Sequence, residues 1–156
     1  GKATEHSRGT VGMIVNGPNS RNVVPGETVF SVDFRDTGVP GLDRMEQGLR
    51  AAAGRIAAEL SLGIGIRQTV FFPPCHFDEV CVAAVRAGAA RLGYRHMDIV
   101  SGAGHDAVHI ARVAPTAMIF VPCEGGISHN ETENAKPEDL AAGCNVLLQA
   151  VLAKAG

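Results

Sequence analysis

The pair Pro73-Pro74 constrains this chain more than any other feature in it. Proline has no amide hydrogen and a fixed φ, so two in succession continue neither a β-ladder nor a helix. The hydrophobic pattern also changes there. Before the pair it reads strand, strand, helix, strand; after it, helices and strands alternate. The spacing therefore predicts two parts, residues 1–72 and 73–156.

In the first part, residues 10–16 (TVGMIVN) have strand character, and the GPNSRNVVPGE that follows is dense in turn residues, so a hairpin-like return is expected. In residues 28–35 (TVFSVDFR), Phe30, Val32 and Phe34 alternate with Ser31, Asp33 and Arg35, the pattern of a strand with one oily and one polar face. Leu42, Met45, Leu49, Ala52, Ile56 and Leu60 recur at three- and four-residue steps, predicting a helix over 41–60 that covers the oily face and ends at Gly63. Residues 64–66 and 69–72 read as a further strand, closed by the two prolines.

The second part reads as a helix over 77–92 capped by Gly93, a short strand at 97–100, a short helix near 105–112, a buried strand at 117–121, a polar loop and a final helix. Pro137 suits the first turn of that last helix, and Glu138 and Asp139 complement its dipole. The class is α/β: an α+β part followed by part of an α/β domain, sheets and helices packed in two layers, the second sheet parallel in part. Two strands alone leave open edges, so further strands are expected upstream.

A length of 156 residues, 46% hydrophobic, supports one compact core or two small ones. A net charge of −2, no Trp, one Tyr and no basic run exclude a nucleic-acid surface; no apolar stretch is long enough for a membrane span. A cytoplasmic protein is expected. Cys75, Cys81, Cys123 and Cys144 are scattered and read as free thiols, and Cys75-His76 with Cys81 lacks the second half of a zinc site. There is no initiator Met and no periodicity before Thr10, so the start reads as a cut end.

Two Gly-rich loops follow apolar strands, where open α/β sheets hold ligands. In Ser101-Gly102-Ala103-Gly104-His105-Asp106, small residues let backbone N–H groups approach an oxyanion and His105 stands where a helix opens; the plain alternative is a tight turn with His105 at the cap or surface. In residues 124–131, His129 can bind a divalent metal or be an ordinary loop histidine, and no H-x-H or H-E-x-x-H motif accompanies it. Arg35 projects from the polar strand face two residues from Asp33. It can grip a carboxylate bidentately or simply pair with Asp33.

Taken in order, Thr10-Val11-Gly12, Pro18-Asn19, Asn22-Val23-Val24-Pro25-Gly26, Asp33-Phe34-Arg35, SGAGHDA (101–107), MIFVP (118–122) and GISHNETE (126–133) resemble the hydantoinase/carbamoylase branch of the zinc-dependent aminoacylase and exopeptidase superfamily. This group includes N-carbamoyl-L-amino-acid hydrolases, β-ureidopropionases and allantoate amidohydrolases. The resemblance runs from about Arg8 to the C-terminus. It implies that residues 1–72 are the later part of a lid and dimerisation domain and residues 73–156 the C-terminal part of a split catalytic domain. It further implies hydrolysis of a carbamoyl or ureido C–N bond by a water activated between two divalent metals, zinc first, with manganese, cobalt or nickel as alternatives.

Carried over residue by residue, His129 resembles the family's last metal-ligand histidine. Asn22 and Arg35 resemble the lid residues that hold the substrate's carboxylate, and Gly104 and His105 the loop that closes on the substrate, His105 taking a catalytic role. The other metal ligands, the general-base Glu and the lid histidine have no counterpart here. The resemblance thus implies a chain inactive by itself, from a homodimer acting on a small carboxylate-bearing ureido acid. The competing expectation is a non-catalytic dimerisation or carboxylate-binding module.

Overall fold

The computed structural model describes residues 4–155. The chain divides into two compact units, Gly1–Pro74 and Cys75–Gly156. Helices throughout and one antiparallel sheet make it a mixed α/β chain.

In the first unit, strands β1 (Arg8–Gly17) and β2 (Glu27–Arg35) form an antiparallel hairpin across the turn-rich loop, as the sequence predicts. The register pairs Gly9 with Phe34, Val11 with Val32 and Ile14 with Phe30, and it shifts between Val11 and Met13, so Gly12 is the extra residue of a β-bulge. Strict alternation would put Met13 beside Val11; the bulge puts Ile14 there instead. Gly9, Val11 and Ile14 thus share a face with Phe34, Val32 and Phe30.

Helix α1 (Val39–Leu60) follows β2 after a three-residue turn. The turn is built on Asp36, whose carboxylate accepts the Gly38 amide at 3.0 Å and the hydroxyls of Thr4 and Ser7. Ser7 is fully buried. The opening segment, which carries no sequence periodicity, is therefore part of this junction from Thr4 onward. Gly41 is buried because a Cβ there would overlap the Asp36 carboxylate. Met45 is buried too, and a Cβ on Gly9 would lie 3.3 Å from the Phe34 ring and 3.6 Å from Met45 Cε.

Coverage of the oily face is thus confined to the Phe34 end. Val32 and Phe34 are half-buried, whereas Phe30 is 49% and Ile14 64% exposed. The expectation that α1 covers the whole face is corrected: the short Asp36 turn fixes the helix at one end of β2. The helix also stops at Ser61, in left-handed geometry (φ 53°), with Leu62 N–H bonded to Ala57 C=O at 2.8 Å, rather than at Gly63.

The second unit is organised by α2 (Glu79–Arg91) and α4 (Pro137–Ala155). Asp78 caps α2 by accepting the Cys81 amide at 2.8 Å, and Gly93 supplies the positive φ (72°) after it. The two helices meet through small residues. Gly88, Ala89, Val146 and Ala150 are buried, and a Cβ at Gly88 would sit 3.1 Å from Gln149 Cβ. Between them lie the short helix α3 (Asp106–Ile110) and a 3₁₀ turn at Glu124–Gly126.

The strands expected at 64–66, 69–72, 97–100 and 117–121, and the parallel ladder with them, are not formed among the described residues. An apolar run becomes a strand only when a neighbour takes its amides and carbonyls. For 117–121 the nearest such tie is one bond, Asp78 N–H to Thr116 C=O at 3.0 Å.

Candidate functional site

Each unit carries part of the candidate machinery. In the first unit, Arg35 ends β2 with its Nε 2.7 Å from Asp33 Oδ1 and Nη2 3.5 Å from Oδ2. Of the two expectations for this residue, the intramolecular pair is present. The hydrogen bond and charge of Asp33 hold the Arg35 pKa above its ordinary value. Both side chains remain about half exposed, 52% and 55%, so the pair is worth only about 0–1 kcal/mol. Asn22 lies in the hairpin loop and accepts from Ser20 Oγ at 2.9 Å.

The structure does not bring Asn22 and Arg35 together. The loop leaves the hairpin at the Gly17–Glu27 end and Arg35 pairs with Arg8 at the other. At about 3.3 Å per residue, the eight steps of β2 span roughly 26 Å.

In the second unit, the 101–106 loop forms a compact arrangement. Ser101 Oγ is 2.7 Å from His105 Nε2 and accepts the Ala103 N–H at 3.2 Å. The His105 ring packs edge-on against Phe120, centroids 5.5 Å apart at 66°. His105 is the N-cap residue of α3, and its side chain makes no capping bond. A Cβ on Gly104 would meet nothing within 4 Å, and the residue is exposed. The sequence singled out the Gly residues and His105 but missed Ser101 and Phe120. The Ser-x-x-x-His spacing across the turn was the available signal.

His129 sits in a loop whose base is closed by Glu124 N–H to Asn134 C=O (2.7 Å) and Asn134 Nδ2 to Glu124 Oε2 (3.0 Å). Its φ is 56°, a left-handed conformation seldom taken by residues other than Gly, Asn, Asp and His. The Glu133 carboxylate holds it there, accepting the His129 amide at 2.7 Å and the Cys123 thiol at 3.9 Å. The imidazole is exposed. Among the described residues no three His, Cys, Asp or Glu side chains gather to hold a metal ion, so the donors here do not make up a metal centre.

The chain matches the Peptidase family M20/M25/M40 over residues 3–153. It belongs to that family. Within the M20 family it is 49% identical over 144 residues to an N-carbamoyl-L-amino-acid amidohydrolase of Rhizobium meliloti, covering 92% of this chain and 35% of that protein. It is 39% identical over 140 residues to the allantoate amidohydrolase of Escherichia coli K12, covering 88% and 34%. A solved structure of a hydantoinase/carbamoylase family amidase from Burkholderia multivorans superposes with a TM-score of 0.91 at 52% identity, over 96% of this chain and 36% of that one. This M20 chain thus spans 34% to 36% of the length of these relatives.

Proposed function

We propose that the protein to which these residues belong is a metal-dependent amidohydrolase that cleaves the carbamoyl or ureido C–N bond of an N-carbamoyl amino acid or related ureido acid. The similarity to amidohydrolases named for carbamoyl amino acids and allantoate, sustained over 88% to 92% of the chain, carries this reading. In this proposal residues 1–72 are the later part of a lid and dimerisation domain and residues 73–156 the closing part of the catalytic domain.

Arg35 grips the substrate's carboxylate. Its bond to Asp33 keeps the fork extended along the polar face, and the weakness of a half-exposed ion pair lets a carboxylate take Asp33's place. Asn22 is too far along the hairpin to share that carboxylate within one chain, so its substrate contact belongs to a second copy in a homodimer. The exposed apolar residues of the hairpin, Val11 at 54% and Val29 at 51% among them, support such an interface. In the second unit Gly104 offers its amide and His105 a ring donor to a substrate oxygen.

His129 is one ligand of a divalent metal centre, with two metals, zinc first and manganese, cobalt or nickel as alternatives. The other donors come from outside the described residues, and the 156-residue chain is therefore inactive by itself. When bound, such metals supply Lewis acidity and an activated water. Four free cysteines fit a reducing, cytoplasmic setting. Among the described residues no helix is long and apolar enough to cross a membrane.

The deciding experiment assays the intact protein on N-carbamoyl amino acids, N-carbamoyl-β-alanine and allantoate, with metal content read on wild type and His129→Ala. Turnover of one substrate with metal lost in the variant is expected. Carboxylate binding or dimerisation with neither metal nor turnover would replace the enzyme by a non-catalytic module.

A further inference from the structure

We propose that Ser101 is the positioning residue for His105: it donates its hydroxyl proton to Nε2 and so leaves the ring's own proton on Nδ1. This rests on the reading of His105 as a group that touches substrate. The Ser101 oxygen lies 2.7 Å from Nε2 and accepts the Ala103 amide at 3.2 Å. With that amide on one of its lone pairs, the hydroxyl can turn its hydrogen onto Nε2, its other partner among the described residues. A ring nitrogen that accepts must be bare, and in a neutral imidazole a bare Nε2 means a protonated Nδ1.

Two further observations make this a fixed group rather than a mobile one. The Phe120 ring sets the plane of the imidazole through the edge contact at 5.5 Å. The extended backbone of His105 (φ −135°, ψ 150°) starts α3 without turning the side chain back onto the helix amides. Ser101 therefore pins one ring atom and Phe120 the ring plane. The remaining nitrogen is a donor, suited to a carbonyl or carboxylate oxygen of a ureido acid. The opposite tautomer would offer such an oxygen a lone pair, which repels it.

The test is a nitrogen-15 imidazole correlation experiment on the intact protein, recorded above the ordinary imidazole titration range, for wild type, Ser101→Ala and Ser101→Thr, with steady-state kinetics on each. Wild type should show Nε2 bare and Nδ1 protonated. Ser101→Ala should mix the two tautomers and lower kcat/KM about tenfold, the scale of one lost hydrogen bond. Ser101→Thr, which restores the hydroxyl, should recover both. A wild-type ring protonated on Nε2, or a tautomer unmoved by Ser101→Ala, overturns the proposal. His105→Gln separates the two ideas: unchanged kinetics there would remove His105 from substrate contact, while the tautomer spectra still decide what Ser101 does.

Discussion

Gly143→Ala should destabilise the second unit although alanine is the better helix former. Gly143 lies within α4, and a Cβ there would stand 2.7 Å from Val121 Cγ1. Carbon atoms rest at about 3.5–4.0 Å, so the overlap approaches an ångström. Valine is stiff about χ1 and cannot swing away freely. Overpacking of this kind costs about 1–3 kcal/mol, and an overlap this large belongs at the upper end. The helix gains about 1 kcal/mol from losing a glycine. The net loss is about 2 kcal/mol, which at a urea m-value near 2 kcal/mol/M lowers the midpoint by roughly 1 M. Val121→Ala removes the methyl groups that collide while the helix gain remains, so the double variant should show a coupling of about 3 kcal/mol, the whole overlap cost. The assay is urea unfolding of the intact protein and its three variants by circular dichroism. Amide exchange at Glu124 should also quicken, because Val121 leads directly into the loop that the Glu124–Asn134 bond closes. A neutral or stabilising Gly143→Ala, with no coupling to Val121→Ala, would refute the packing described between α4 and the 117–121 segment.

Three further outcomes follow from local geometry. Gly48→Ala, in α1 with nothing within 4 Å of the new Cβ, should stabilise by about 1 kcal/mol, seen as a raised urea midpoint. Asp36 is held below the ordinary carboxylate range, first by the Ser7 hydroxyl and then by that of Thr4. Its contribution is therefore fully present above the unfolded pKa and is lost as pH falls through the lower folded value, so Asp36→Asn should flatten the acid limb of a stability profile taken from about pH 5 to 2. The Asp78 carboxylate raises the Cys81 thiol pKa, chiefly by hydrogen bonding to it, so Asp78→Ala should speed Cys81 alkylation at neutral pH and amide exchange at Cys81; unchanged rates would remove the cap.

The elements legible in the sequence are those whose hydrogen bonds are local or whose partner is next in the chain. Helices α1 and α4, the Gly93 end of α2 and the hairpin required only neighbouring residues, and each is present, although α4 buries Val146 and Ala150 and leaves its apolar stripe of Leu140, Leu147 and Val151 exposed. The Gly12 bulge was not legible, because TVGMIVN reads equally well as unbroken alternation and only the register against β2 shows that Ile14, not Met13, joins Phe30. The Asp36 junction was missed for a related reason: Thr4 and Ser7 lie 32 and 29 residues from the carboxylate they bond, a distance no periodicity reports.

The same division explains the site. Residue types with chemistry, Arg35, His105 and His129, stand out in a sequence because few other side chains do what they do. Of the groups that set their geometry, Asp33 was legible from its position two residues before Arg35 on the same strand face, whereas Ser101 and Glu133 were not, since hydroxyls and carboxylates are common on any loop. Yet each lies two or four residues from the group it holds, and in all three the short spacing converts a flexible side chain or loop into a directed one. The apolar runs at 69–72 and 97–100 mark the opposite limit. Phe72 at 67% and Val100 at 57% exposure carry strand-like patterns, but a pattern specifies only which face a strand would bury. Whether a ladder forms is decided by a neighbour that can take its amides, and among the described residues those two runs have none.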